Sequence, residues 1–450
     1  MKRAHLRRLL FASLIVQSGI IGCATDTTAP EAISPDVRYA KGGSGGSGSA
    51  SVVITPSTVT IENGATVQLS AVVSNGKTIQ DKVLTWSSSN TAVATVSSTG
   101  LVTGTGVGGP VVVSASTGGR KEIVGTAEVT VVAPVPAWTT LVSAESAPAA
   151  PIYSTTNAPG DNALYAILGT GDFNPVALWR FDLTTDTWLQ VTTSNSPIGK
   201  YRQIVHDPVN HRILTFWDGR GQVYAVSENG GAWSPVGSTS NSDEWYGSAS
   251  FWNPVSSRLS MFGGYGFFAW KNTLAGFNES TFAWETETQS ATRPGPRFAA
   301  TAGVDETGGV FFLNSGEGYP SGNQFEGKYV YNDLWRLNLA TNSWTQLIAH
   351  DGNPAPTIGA GMDYDPSKNL LYRFGGSHGA GDPGFLDDIE VVDTGAGVPA
   401  WTPLPTLGIG PSPRNGPGVY FDSPRRRLIV VGGNPLAGGA RLDVYALGDL

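Results

Sequence analysis

From Trp138 to Leu450 the chain repeats itself about every 50 residues, and this period restricts the fold more than any other feature. Tryptophans close the copies at Trp138, Trp188, Trp233, Trp284, Trp344 and Trp401, with separations from 45 to 60 residues. Each copy has one order: a buried apolar strand, an Asp-rich turn, an apolar strand ending in Gly-Gly, a variable loop, a strand, a turn, then Trp and a short strand. The clearest begins Asn415-Gly416-Pro417-Gly418-Val419-Tyr420-Phe421-Asp422 and continues Arg427-Leu428-Ile429-Val430-Val431-Gly432-Gly433. Gly263-Gly264 and Gly375-Gly376 end the same strand in two other copies. A period near 50 residues implies four strands per unit, and one such unit cannot bury its apolar face alone. Composition agrees. Charged residues make up only 14 %, and 58 Gly and 29 Pro suit short strands and tight turns rather than helices.

The ends of the array set the count. The chain stops at Leu442-Asp443-Val444-Tyr445-Ala446-Leu447, a third strand with no Trp strand after it. The array starts with an orphan Trp138-Thr139-Thr140-Leu141, the missing fourth strand. Five complete repeats and this split one make six units, and pairing the first strand into the last unit removes open sheet edges. The Gly-Gly and Trp pattern resembles the kelch family across 138–450, which implies a six-bladed β-propeller closed by its N-terminal strand. Three repeats depart from the pattern, with Gly169-Thr170-Gly171, Trp217-Asp218-Gly219 and Asn314-Ser315-Gly316 in place of the doublet. The doublets are expected to serve backbone bends and close packing, and the tryptophans to pack between neighbouring blades.

The remaining third of the chain reads as an export signal, a tether and a spacer. A basic start, an apolar run from Leu9 to Ile21 and then Gly22-Cys23 make a secretory signal over 1–22, too short for a transmembrane span. Ile20-Ile21-Gly22-Cys23 resembles the lipobox of bacterial lipoproteins, which implies lipidation of Cys23. Ala24 after it resembles an outer-membrane address. Cys23 is the only cysteine, so an internal disulfide or a thiolate zinc site is excluded. Residues 23–50 end in a Gly/Ser run and form a flexible tether. Residues 51–133 alternate apolar and polar positions, with Val67, Leu69, Ala71 and Val73 on one face, and likewise Val111, Val113 and Ala115, and Val129 and Val131. Turns at Asn63-Gly64, Asn75-Gly76 and Gly118-Gly119 complete the pattern of a β-sandwich with Trp86 in its core. Leu84 to Val96 followed by Gly100-Leu101-Val102-Thr103-Gly104 is similar to bacterial Ig-like group 2 domains, which implies a spacer or adhesion module. The whole chain is therefore expected to be all-β, an Ig-like sandwich followed by the propeller at 137–450.

Candidate binding residues gather on the face carrying the loops after the Gly-Gly strand, because these loops vary most. Tyr265 and Phe267 lie in the third blade's loop, Glu317, Tyr319 and Phe325 in the fourth's, and His378 in the fifth's. Trp245 and Tyr246 precede the third blade and are expected on the same face. Aromatic rings with scattered carboxylates suit stacking on sugars or docking of a peptide. Arg202, Arg297 and Arg414 stand just before the innermost strand of three repeats and are expected at the mouth of the central channel. There they serve either as an anion clamp or as hydrogen-bond donors to loop carbonyls between blades. His206 and His211 flank Asp207-Pro208 on the opposite face and read as solvated turn residues. His350 and His378 are lone loop histidines.

Several classes of function are weakened or removed. There is no H-E-x-x-H, EF-hand loop or Walker A, and so no metal or cofactor motif. The net charge of −8 and the lack of a basic stripe speak against nucleic acid. Radical-copper oxidases of the galactose oxidase type need a cysteine in the propeller, and there is none. No catalytic motif stands out. The expectation is a monomeric, lipid-anchored protein of the cell envelope, at the outer membrane, touching the membrane only through its anchor and binding a glycan or an envelope protein. The alternative is a carbohydrate-active propeller, similar to a sugar epimerase or mutarotase, using channel-mouth Arg and Glu.

Overall fold

The computed structural model describes residues 50–74, 83–148, 152–169, 174–198, 202–217, 222–237, 247–266, 269–319, 329–350, 357–379, 384–435 and 442–450. The signal, Cys23, nearly all of the tether and the Asn75-Gly76 turn lie outside them. The chain divides into two compact units, Met1–Val131 and Val132–Leu450. No helix among the described residues is long and apolar enough to cross a membrane.

The first unit is a sandwich of short antiparallel strands. Thr58–Glu62, Val124–Val132, Gly108–Ser116 and Thr85–Ser88 form one sheet, in that spatial order. Thr66–Gln68, Leu101–Gly104 and Ala94–Val96 form a second. The alternation read from sequence falls on the core: Leu69, Val73, Val111, Val113, Ala115, Val129 and Val131 are all buried. Trp86 packs half-buried against them. A Cβ at Gly100 would lie 2.7 Å from the Trp86 ring, so the glycine makes room for it.

The second unit contains six four-stranded antiparallel sheets among the described residues. Their innermost strands are Ile152–Ala158, Arg202–Asp207, Ala249–Asn253, Thr301–Asp305, Gly361–Asp365 and Gly418–Asp422. Each packs beside the next, and the last returns to the first. The blades are numbered here in this order. Ala137–Val142 pairs antiparallel with Val444–Gly448 and supplies the outermost strand of the sixth blade, as the orphan Trp138 segment predicts.

Each closing tryptophan lies against the preceding blade. Trp138 meets Phe374 edge-on at 5.7 Å, Trp284 meets Phe216 at 5.5 Å and Trp344 meets Phe262 at 4.9 Å between ring centroids. Trp188 donates Nε1–H to the Leu442 carbonyl at 2.9 Å. Trp233 and Trp401 join cores built partly from the first and fourth blades. Such edge-to-face pairs contribute about 0.5–1.5 kcal/mol beyond the area they bury.

The Gly doublets do backbone work. Gly263 and Gly264 have φ of +76° and +95°, and Gly375 and Gly376 of +73° and +93°. The second glycine's amide reaches into the next blade: Gly264 donates to the Arg297 carbonyl at 2.7 Å, and Gly376 to that of Arg414 at 2.8 Å. At the opposite face the Asp or Asn ending a strand folds its own turn. Asp207 accepts from the amides of Val209 and Asn210, and Asn253 from those of Val255 and Ser256. Such side-chain turns are why these residues punctuate the repeat.

Candidate functional site

On the loop face, the third and fourth blades meet at a cluster of half-buried aromatic rings. Tyr265–Gly266 and Ala269–Trp270 form a small hairpin beyond the third blade's doublet. Glu317–Gly318 pairs with Tyr329–Val330 in the fourth. Trp270 is the hub, with centroids 5.5 Å from Tyr265, 5.6 Å from Phe298 and 5.4 Å from Tyr319. All three contacts are tilted or edge-on, so each ring limits the others' rotation. Phe298 exchanges backbone hydrogen bonds with Glu317, at 2.7 and 2.9 Å. A Cβ at Gly247 would lie 2.3 Å from the Phe298 ring, so the chain here is pressed onto the cluster. Tyr265 and Tyr319 are thus brought together, while Glu317 is 95 % covered and acts through its backbone. Its side-chain exposure leaves little for a ligand to touch. Trp245, Tyr246, Phe267 and Phe325 lie outside the described residues. His378 is exposed on the fifth blade's loop. His350 packs on Tyr329, at 4.4 Å between centroids, and its Nδ1 accepts the Asn332 amide. Sequence reading left out Trp270 and Phe298; the Trp270 signal was its place in the hairpin loop.

The three arginines are not equivalent, which corrects the reading from the repeat. Arg297 and Arg414 stand eight residues before the turn carboxylates Asp305 and Asp422, whereas Arg202 stands five before Asp207 and opens its strand. Arg297 is 1 % exposed and Arg414 2 %. Arg297 makes a two-pronged pair with Asp333, at 2.7 and 2.8 Å, donates to the Ser315 carbonyl and lies 4.0 Å above Tyr331. Arg414 repeats this with Asp443, at 3.0 and 3.1 Å, and the Gly432 carbonyl. In both, the side chain binds within its blade while the backbone accepts from the preceding doublet. Arg202 donates to the Ile198 carbonyl and lies 5.5 Å above Tyr224, and its Nη1 has no hydrogen-bond partner among the described residues. Burial pushes its guanidinium down to about 10, with Tyr224 opposing. None of the three is among the residues lining the channel. Asp333 and Asp443 were missed in the sequence; the signal was that the two repeats with Arg at this position also carry Asp before their third strand.

The channel is a cavity of about 520 Å³. Its walls are the innermost strands, and they are stitched by side chains. Ser154 and Thr156 accept from the Ile204 and His206 amides, Asp363 accepts from the Phe421 amide at 2.7 Å, and Thr155 meets Tyr420 Oη at 2.6 Å to close the ring. Asp363 lines the channel and is half-buried in its wall. Burial drives its carboxyl up to about 7, although the Phe421 and Tyr364 amides oppose the shift. His206 also lines the channel and is only 5 % exposed, with Nε2 2.8 Å from Glu228. The solvated-turn reading therefore fails for His206, because its side chain turns inward from the strand. His211 remains exposed.

Both parts of the chain resemble known proteins. A family model for the KLHDC2/KLHL20/DRC7 Kelch-repeats domain matches residues 222–448. The chain belongs to the kelch-repeat family. The bacterial Ig-like domain (group 2) matches residues 49–121. Among solved structures the chain is similar to one titled "Structure of YjhT". That likeness has a TM-score of 0.50 and 14 % identity, and covers 67 % of this chain and 97 % of that one. At this identity it speaks for the fold alone. A kelch propeller joined to an Ig-like domain makes this a binding or enzyme-like propeller.

Proposed function

We propose that this is a lipid-anchored cell-envelope protein whose kelch propeller binds a glycan on its loop face, with the Ig-like domain as spacer. The observation carrying the reading is the ring cluster of Tyr265, Trp270 and Tyr319, half-buried and braced by Phe298. Braced rings offer apolar faces to a sugar at little entropic cost, and polar loop atoms around them supply orientation. The buried Arg–Asp pairs favour binding over a channel-mouth Arg/Glu chemistry, since both guanidinium forks are already engaged. The lipobox-like Ile20 to Cys23 and the Gly/Ser tether support an outer-membrane address.

The test is tryptophan fluorescence titration of the full chain with envelope oligosaccharides, alongside Trp270→Ala and Tyr319→Ala. Saturable quenching that falls at least tenfold in affinity in both variants is expected. No response to any glycan, with capture of an envelope protein instead, would replace the ligand class. Release of a Cys23→Ser chain from the membrane fraction is the expected result for the anchor.

A further inference from the structure

At the turn face, the joint between the first and second blades gathers four groups with metal-ligand chemistry. Asp161 ends the short turn Pro159–Asp161 of the first blade. His206, His211 and Glu228 come from the second blade's first strand, the turn after it, and the turn after its third strand. His206 Nε2 lies 2.8 Å from Glu228 Oε1 and 3.5 Å from Asp161 Oδ2. His211 Nδ1 lies 3.4 Å from the same Glu228 oxygen. One donor atom each from Asp161, His211 and Glu228 fall within 4.8 Å of one another. In a tetrahedral site with bonds of about 2.0–2.2 Å, adjacent donors sit about 3.3–3.6 Å apart. The 3.4 Å between His211 and Glu228 fits that spacing, while the 2.8 Å between His206 and Glu228 is a hydrogen bond that holds the carboxylate in place.

The cluster is built rather than scattered on a surface. His206 is 5 % and Glu228 8 % exposed. The His206 ring is held nearly parallel to Tyr165, 6.4 Å between centroids. Asp161 Oδ2 is buried and has no hydrogen-bond partner among the described residues. A carboxylate oxygen without a donor, facing a second carboxylate, leaves negative charge uncompensated in a place poor in water. One imidazole proton cannot answer both carboxylates.

We propose that Asp161, His211 and Glu228 bind one divalent transition-metal ion of the zinc class, with His206 orienting Glu228 through its hydrogen bond, clamping the first blade to the second. One imidazole and two carboxylates, with water in the fourth place, suit Zn²⁺ and its neighbours. Ca²⁺ wants six to eight oxygens, more than two carboxylates supply. His211, with 73 % of its side chain exposed, forms the open side through which an ion enters. No contiguous motif announces the site, since its ligands come from two repeats.

Calorimetric titration of the chelator-treated full chain with Zn²⁺, and separately with Ca²⁺, tests this. One Zn²⁺ per chain and a raised Tm are expected, with no Ca²⁺ uptake at this site. His211→Ala, at an exposed position that leaves the fold intact, is expected to weaken binding by about a hundredfold or more. Glu228→Gln keeps the side chain's shape and is expected to do the same. Absence of Zn²⁺ binding, or binding of unchanged strength in both variants, overturns the site. Uptake of Ca²⁺ in place of Zn²⁺ overturns the metal class.

Discussion

Arg297 and Arg202 are both buried in the propeller, but the protein treats them differently. Arg297 and its counterpart Arg414 meet an aspartate just before the third strand of their own blade, prong for prong. Arg202 sits three places further along its repeat, its blade has Gln222 where the others have the aspartate, and it leans on one carbonyl and the Tyr224 ring. A guanidinium is costly to bury, and a two-pronged carboxylate is what offsets the cost. The difference divides the joints between blades. Where Arg297 and Arg414 stand, the side chain anchors the segment within its own blade and the backbone joins it to the blade before. The second blade relies on its turn face instead, where Arg212 links Asp207 to Glu279 of the third blade, and where the Asp161–His206–Glu228 cluster faces the first.

The comparison breaks most readily at the clamped joints. Asp333→Ala leaves the Arg297 charge buried without its partner and is expected to cost about 3–5 kcal/mol in urea denaturation. A loss below about 1 kcal/mol would mean that the clamp is idle. Asp363 sharpens the contrast, because it is a deep carboxylate answered by amides rather than by an arginine. Its folded value, about 7, is raised above the ordinary 3.8. Its contribution is therefore most favourable below pH 4 and is lost as the pH rises toward 7. Denaturation across that window is expected to show about 3 kcal/mol of loss from this group, which Asp363→Asn abolishes. The smallest effect belongs to Arg202. Arg202→Met removes a charge that burial disfavours and is expected to change stability by less than about 1 kcal/mol, in either direction. A loss as large as that of Asp333→Ala would erase the distinction between the two kinds of arginine.

Much of this ring was legible along the chain. Trp138 announced the closing strand, because a lone Trp segment before the array matches the strand missing after Leu447. The doublets announced left-handed backbone, which side chains resist. The aromatic platform was half-legible: Tyr265 and Tyr319 could be named from variable loops, but their convergence on Trp270 and Phe298 depends on two loops about 50 residues apart. The arginines were misread for a related reason. Repeats align by their strands, and the loop before the innermost strand differs in length, so Arg202 looked equivalent to Arg297 when it is three positions displaced.

The sequence by itself determined the repeated unit, its strands and turns, and how the ring closes. These follow from local patterns, namely apolar alternation, Asx turns and positive-φ glycines, repeated until only a ring satisfies the edges. Only the tertiary structure decided which charges meet. Arg297 with Asp333, Asp363 with the Phe421 amide, and Asp161 with His206 and Glu228 are pairings across strands or blades. Their strength depends on separations of a few ångströms in a water-poor interior, where Coulomb forces act over distances that no spacing along the chain records.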